Sequence, residues 1–200
     1  MLKETIIDIM INVWPMLLIF VVIISSIRIT YVITKKAPFV LYQELVALGF
    51  IIYILCLFYV VTFQDVTWSS SNFIPFREIF RYEIGSDMFI KNALGNILIF
   101  LPYGFFVSYF LKTNKVRNIF FLTVITSLTI EITQMMIGRV FDVDDILLNI
   151  LGGLLGFYIY NIIHVIENHL PKVLKKELFY NIIILLLLSL TAIAFFSWRF

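Results

Sequence analysis

The sequence predicts an all-α integral membrane protein: six transmembrane helices plus a short interfacial helix at the outer leaflet. Composition is the first reason. Hydrophobic residues make up 62% of the 200-residue chain and charged residues 14%, against a usual ~45–50% and ~25%. A soluble globule of this size has too little interior to hide that surface. The second reason is the charge map. Six stretches, 9–27, 45–64, 92–111, 118–138, 146–166 and 178–198, contain one Asp, Glu, Lys or Arg among them, Glu131. Each is 19 to 21 residues long, and about 20 helical residues at ~1.5 Å rise cross a ~30 Å hydrocarbon core.

Residues 1–66 hold the first two spans, 67–165 an interfacial segment with three spans, and 166–200 the last span. The first span is expected to be retained. Its start, with Lys3, Glu4 and Asp8, lacks the positive excess of a signal peptide, and no A-x-A site follows. Orientation follows from Lys and Arg near span ends. Arg28, Lys35, Lys36, Lys112, Lys115, Arg117, Lys172, Lys175 and Lys176 fall in the loops after spans one, three and five. Arg77, Arg81, Lys91 and Arg139, in the other two loops, stand among seven acids. Basic loops stay in the cytoplasm, so the chain is a multi-pass protein of the cell membrane with both termini extracytoplasmic. A net charge of +2 gives no sign of a nucleic-acid partner; membrane lipids are the expected surroundings.

Before span three, Pro75 can open an amphipathic helix, with Phe76, Ile79 and Phe80 on one side and Arg77, Glu78 and Arg81 on the other. Gly85 would end it. Span three carries Asn92 and Asn96 at i, i+4, with Pro102 at mid-span as a kink and Gly104 after it. In span four, Glu131 lies six residues from the outer end, so about 9 Å deep. Ser127, Glu131 and Gln134 share a helical face. That stripe is either inter-helix glue or a functional site, since an acid within the bilayer is costly to insert. Glu131→Gln would be silent for glue and damaging where charge or proton transfer matters.

Gly138 falls where a helix C-terminal glycine is expected, and Asp142 suits an N-cap with Asp145 in the following turn. Asp142, Asp145 and Asn149 lie at i, i+3 and i+7 on one face, while Asp144 points elsewhere and is expected in solvent. Gly152 and Gly156 form G-x-x-x-G, a close helix contact. Cys56 is the lone cysteine, which excludes an internal disulfide, and His164 and His169 at i, i+5 share no helical face. No nucleotide loop, H-E-x-x-H or C-x-x-C is present. The polar residues Asn92, Asn96, Glu131, Gln134, Arg139, Asp142, Asp145 and Asn149 thus fall at or just below the outer surface. A polar cavity open to the exterior is the expected result.

The run N-x-I-P-F, then N-I-L-I-F-L-P-Y-G-F, S-L-T-I-E-I-T-Q and G-R-V-F-D-V-D-D-I-L-L-N-I-L-G-G-L-L-G, from Asn72 to Tyr160, resembles the VanZ-like family of bacterial membrane proteins. The positions that carry over are Asn72, Pro75, Phe76, Asn96, Pro102, Gly104, Glu131, Gln134, Arg139, Asp142, Asp145, Asn149, Gly152 and Gly156. The resemblance implies a role in resistance to teicoplanin-type lipoglycopeptides in a Gram-positive bacterium, and it supplies no mechanism. Two classes of function remain open. One is a non-enzymatic protein that limits access of a lipid-anchored antibiotic to its outer-leaflet target. The other is an enzyme acting on a lipid or lipid-linked cell-wall precursor, with Glu131 as general acid or base, Arg139 on a phosphate, and Asp142 with Asp145 on a hard divalent ion. A transporter is weaker, because no inverted repeat is visible. The sequence implies no particular cofactor and no oligomeric state.

Overall fold

The computed structural model describes residues 2–63, 71–81, 83, 85–86, 89–172 and 174–199, with side chains over the same residues except 2–11, 63, 91–92, 192 and 194–199. Its regular structure is helical: α1 Leu2–Lys35, α2 Leu41–Phe63, α3 Gly95–Leu111, α4 Val116–Met136, α5 Val143–His169 and α6 Glu177–Arg199. A single π-helical turn, Ile90–Leu94, leads into α3. Among the described residues strand pairing is limited to one parallel bridge, Asn72 to Asp142. Four segments, Asn12–Lys35, Leu41–Thr62, Val116–Met136 and Val143–His169, are long and apolar enough to cross a membrane. Gly95–Leu111 and Glu177–Thr191 are shorter apolar helices.

One sequence expectation is corrected here. Where Pro75 was expected to open an amphipathic α-helix, the chain makes turns and a single 3-10 turn, Ile79–Arg81. Phe76 takes a left-handed φ of +67°, uncommon for a bulky residue. The N–H groups of Phe76, Glu78 and Ile79 are bonded to a side chain from α5, while those of Arg77, Phe80 and Arg81 reach carbonyls within the segment.

The chain forms two compact units, Leu57–Val165 and Met1–Cys56 with Ile166–Phe200. In the second of these, Arg28 meets Glu44 through two parallel hydrogen bonds, Nε to Oε2 at 2.9 Å and Nη2 to Oε1 at 2.7 Å. Asn181 Oδ1 accepts the Tyr42 backbone N–H at 2.9 Å, and the Tyr42 and Tyr180 rings lie 5.2 Å apart.

The unit Leu57–Val165 is built on α3, α4 and most of α5. Glycines let α3 and α5 touch backbone to backbone. A Cβ on Gly104 would sit 1.9 Å from the Gly153 carbonyl oxygen, one on Gly152 2.3 Å from that of Ile97, and one on Gly156 2.0 Å from that of Leu101. Such separations are reached only without a side chain. Without water to drive burial, apolar helices associate by this kind of close packing. Phe100 of α3, Ile119 of α4 and Phe157 of α5 are buried. α3 continues through Pro102. The opposite surfaces of these helices expose Leu98, Phe110, Phe121, Ile125, Ile159 and Ile163, as lipid-facing surfaces do.

Candidate functional site

The site is built where α4 ends and α5 begins. On α4, Thr123, Ser127 and Glu131 recur every four residues and are all buried, Glu131 at 2% exposure. The helix stops in a Schellman motif. The Arg139 N–H reaches the Gln134 carbonyl at 2.9 Å, the Gly138 N–H reaches that of Met135 at 3.2 Å, and Gly138 supplies the left-handed φ of +84°. The turn sends the chain back over the helix end. There the Asp142 backbone N–H donates to Glu131 Oε2 at 2.9 Å. The donor to Glu131 is thus a main-chain N–H of the turn.

Asp142 caps α5: its Oδ1 accepts the Asp144 N–H at 2.9 Å and the Asn72 side-chain amide at 2.8 Å. Asn72 is pinned through its backbone as well, donating to the Phe141 carbonyl at 2.8 Å and accepting from the Val143 N–H at 3.0 Å. Burial is the main cause that pushes the Asp142 carboxyl above the ordinary range. Hydrogen bonds from the Asp144 N–H and Asn72 oppose it, and repulsion from Asp144 and Glu78 adds to it.

Asp144 corrects the sequence reading. Expected in solvent, it is 1% exposed. Its carboxylate accepts the N–H groups of Phe76, of Glu78 at 2.7 Å and of Ile79 at 3.2 Å. The start of α5 is covered by the 71–81 segment, which meets both Asp142 and Asp144 and brings N–H groups that need an acceptor. Spacing alone gives no sign of this, because the covering chain lies 65 or more residues away. Gly153 was also missed; its carbonyl meets Gly104, and a Cβ there would strike Thr123.

The remaining candidates pair off separately. Asp145 Oδ1 accepts the Asn96 side-chain amide, tying α5 to α3. Asn149 Nδ2 donates to Ser127 Oγ at 2.9 Å, tying α5 to α4. Arg139 Nη1 and Gln134 Nε2 both donate to the Val61 carbonyl, at 2.7 and 3.4 Å. That oxygen is among the last carbonyls of α2, which have no partner within the helix. The two side chains therefore cap α2 and do not converge on Glu131. Pro75 stands in the turn leading to Phe76. Asn92 lies outside the residues whose side chains are described.

Chemically this is a hydrogen-bonded polar head. The carboxylates of Asp142, Asp144 and Asp145 and one oxygen of Glu131 already accept N–H donors. Glu131 Oε1 takes no hydrogen bond within the described residues, and Asn149 Oδ1 and Thr123 Oγ1 are buried without a partner. Among the described residues no group of three or more His, Cys, Asp or Glu side chains is placed to hold a metal ion. Open space lies beside the head instead. A cleft of about 500 Å³ is lined by Asn72, Phe76, Arg77, Glu78, Phe80 and Arg81.

Residues 50–164 match the sequence profile of the VanZ/LLP1 family. Protein VanZ of Enterococcus faecium is 30% identical over 102 residues, which cover 49% of this chain and 61% of that protein. The chain thus spans about three fifths of the length of this curated relative. No solved structure matches the chain.

Proposed function

The chain belongs to the VanZ/LLP1 family, and we propose that it crosses the cell membrane six times and lowers the action of teicoplanin-type lipoglycopeptides at the outer leaflet. Both termini face outward, because the basic loops after helices α1, α3 and α5 stay in the cytoplasm. The polar head then lies at the outer surface. In this reading the protein is not an enzyme. It presents a rigid surface that restricts a lipid-anchored antibiotic from reaching its target, or shields a lipid-linked precursor from it.

One observation carries this reading. Residues behind the family resemblance (Asn72, Phe76, Glu131 and Asp142) meet in one hydrogen-bonded head whose acids are engaged with N–H donors. Acids used this way fix a surface; they are not poised around a substrate or a hard cation. The enzymatic reading, in which Glu131 acts as acid or base on a lipid or lipid-linked precursor, draws on one feature, the unbonded Oε1 of Glu131.

The test is expression in a teicoplanin-susceptible Gram-positive host. The inhibitory concentration of teicoplanin should rise, while that of a glycopeptide lacking the acyl chain should change less. No rise at full expression would refute the role. Glu131→Gln separates the two readings, since glutamine keeps a carbonyl oxygen for the Asp142 N–H. Resistance survives if the head is structural, and disappears at unchanged protein level if Glu131 handles a proton. Cysteine labelling at positions 36 and 83, with Cys56 replaced, checks the orientation; labelling of position 36 from outside would reverse it.

A further inference from the structure

The cleft beside the head has a chemistry of its own: Asn72, Phe76 and Glu78 tie it to the head, and the side chains of Arg77, Phe80 and Arg81 line it besides. Three features define it. First, it is charged. Glu78 is engaged with Arg81, Nη1 lying 3.0 and 3.3 Å from its two oxygens, whereas Arg77 forms no ion pair among the described residues. With Arg77 and Arg81 against Glu78, the cleft keeps one net positive charge.

Second, the same short segment is aromatic. Phe76 and Phe80 pack at 6.2 Å between centroids, yet are 52% and 72% exposed, and Phe73 beside them is 67% exposed. Exposed rings next to arginines belong at a membrane–water boundary, where an apolar body meets acyl chains and a polar tip meets headgroups. A site for a free anion in water has no need of them.

Third, the walls are built in advance. The Asp144 carboxylate holds the N–H groups of Phe76, Glu78 and Ile79, and Asn72 is fixed to Phe141, Asp142 and Val143. Little further ordering is required on binding. The volume of about 500 Å³ falls within the ~300–1,000 Å³ of small-ligand sites.

We propose that this cleft binds the phosphate of an anionic phospholipid headgroup, with Arg77 as the phosphate ligand and Phe76 and Phe80 against the glycerol and upper acyl chain. Guanidinium suits phosphate because its planar fork donates two parallel hydrogen bonds. The proposal requires only that the chain lie in a membrane, and is independent of any role in resistance; the assay below uses no antibiotic, so the two can fail separately.

The experiment measures binding of a fluorescent short-chain phosphatidylglycerol to the purified full chain in a neutral detergent. Phosphatidylcholine and inorganic phosphate serve as competitors. Phosphatidylglycerol should bind more tightly than phosphatidylcholine, and millimolar inorganic phosphate should not displace it. Arg77→Gln should weaken binding about fivefold, the factor that ~1 kcal/mol for one basic residue at an anionic surface gives, and Arg77→Lys, which keeps the charge but not the fork, should fall between it and the wild type. Arg77 is exposed, so its variants should keep the wild-type unfolding midpoint. Arg117→Gln, in the first turn of α4, should leave the affinity unchanged. Undiminished binding in Arg77→Gln overturns the assignment. So does equal affinity for phosphatidylcholine, or an equal loss in Arg117→Gln. Displacement by inorganic phosphate would make it a free-anion site and overturn the lipid assignment.

Discussion

Replacing Asp144 by asparagine tests the central joint of the head. The carboxylate presents one oxygen to the Phe76 N–H and the other to the N–H groups of Glu78 and Ile79. An asparagine has one oxygen to give. Its better orientation keeps the Glu78 and Ile79 bonds and turns the amide NH2 toward the Phe76 N–H, donor against donor. One charge-assisted hydrogen bond is lost, and the surviving two lose the ionic part of their strength. Bonds to charged groups contribute ~1.5–3 kcal/mol each, so local opening of residues 76–79 becomes easier by about 2–3 kcal/mol. That corresponds to roughly 30- to 150-fold faster amide exchange at Phe76, Glu78 and Ile79 where exchange follows local opening. Hydrogen exchange in detergent, read by mass spectrometry over peptides covering 72–81, measures this. Amides in the middle of α4 should be unaffected. Unchanged exchange across 72–81 in the variant would refute the claim that Asp144 holds the segment.

Gly104→Ala should prevent normal α3–α5 packing, at a cost on the order of 3 kcal/mol or more, because its Cβ would lie 1.9 Å from a backbone oxygen. Gly95→Ala, with nothing within 4 Å, should be neutral or stabilising by up to ~1 kcal/mol; similar thermal unfolding of the two variants would contradict the packing. Asp142 has a raised pKa in the fold, so the stability tied to its protonated form is complete below the unfolded value of ~3.9 and falls as pH rises through the folded value. The unfolding midpoint of Asp142→Asn minus that of wild type should therefore increase from pH 4 toward neutrality, and a flat difference would argue against burial as the cause. Arg139→Gln should destabilise by ~1–2 kcal/mol through loss of the charged donor on the Val61 carbonyl. An unchanged unfolding midpoint would show that α2 does not need this cap.

The helices were legible because lipid imposes a simple rule: every backbone group must be bonded within its own segment, and about 20 apolar residues suffice. Charge-free runs therefore marked α2, α4 and α6 closely, whereas α1 and α5 run past the 9–27 and 146–166 stretches at both ends and α3 begins at Gly95 after a π turn. The caps were equally local, so Gly138 and Asp142 took the places in the α4–α5 turn that their chemistry favours. The partners of the buried polar groups were not legible. Helix-face spacing grouped Ser127 with Glu131, and the resemblance brought in Asn72. Neither says that a carboxylate from one helix faces amide donors from a loop more than sixty residues earlier.

The irregular backbone and the acids answer the same requirement. Residues 72–79 and 139–142 leave the helical pattern, so several of their N–H groups lack a helical carbonyl partner, and an unpaired buried N–H costs about as much as a lost hydrogen bond. Asp144 takes three of those groups, Glu131 takes that of Asp142, and Asn72 accepts that of Ile74 at 3.1 Å. An acid satisfies more donors than a hydroxyl or an amide, because an ionised carboxylate is acceptor-only with two oxygens. This explains why the head is rich in Asp and Glu. It also narrows where chemistry or binding would occur. Among the described residues, Asn149 Oδ1 is left without a donor and Arg77 without an acid. Arg77→Gln should alter binding with little effect on folding, whereas substitutions at Asp144 and Gly104 should do the reverse.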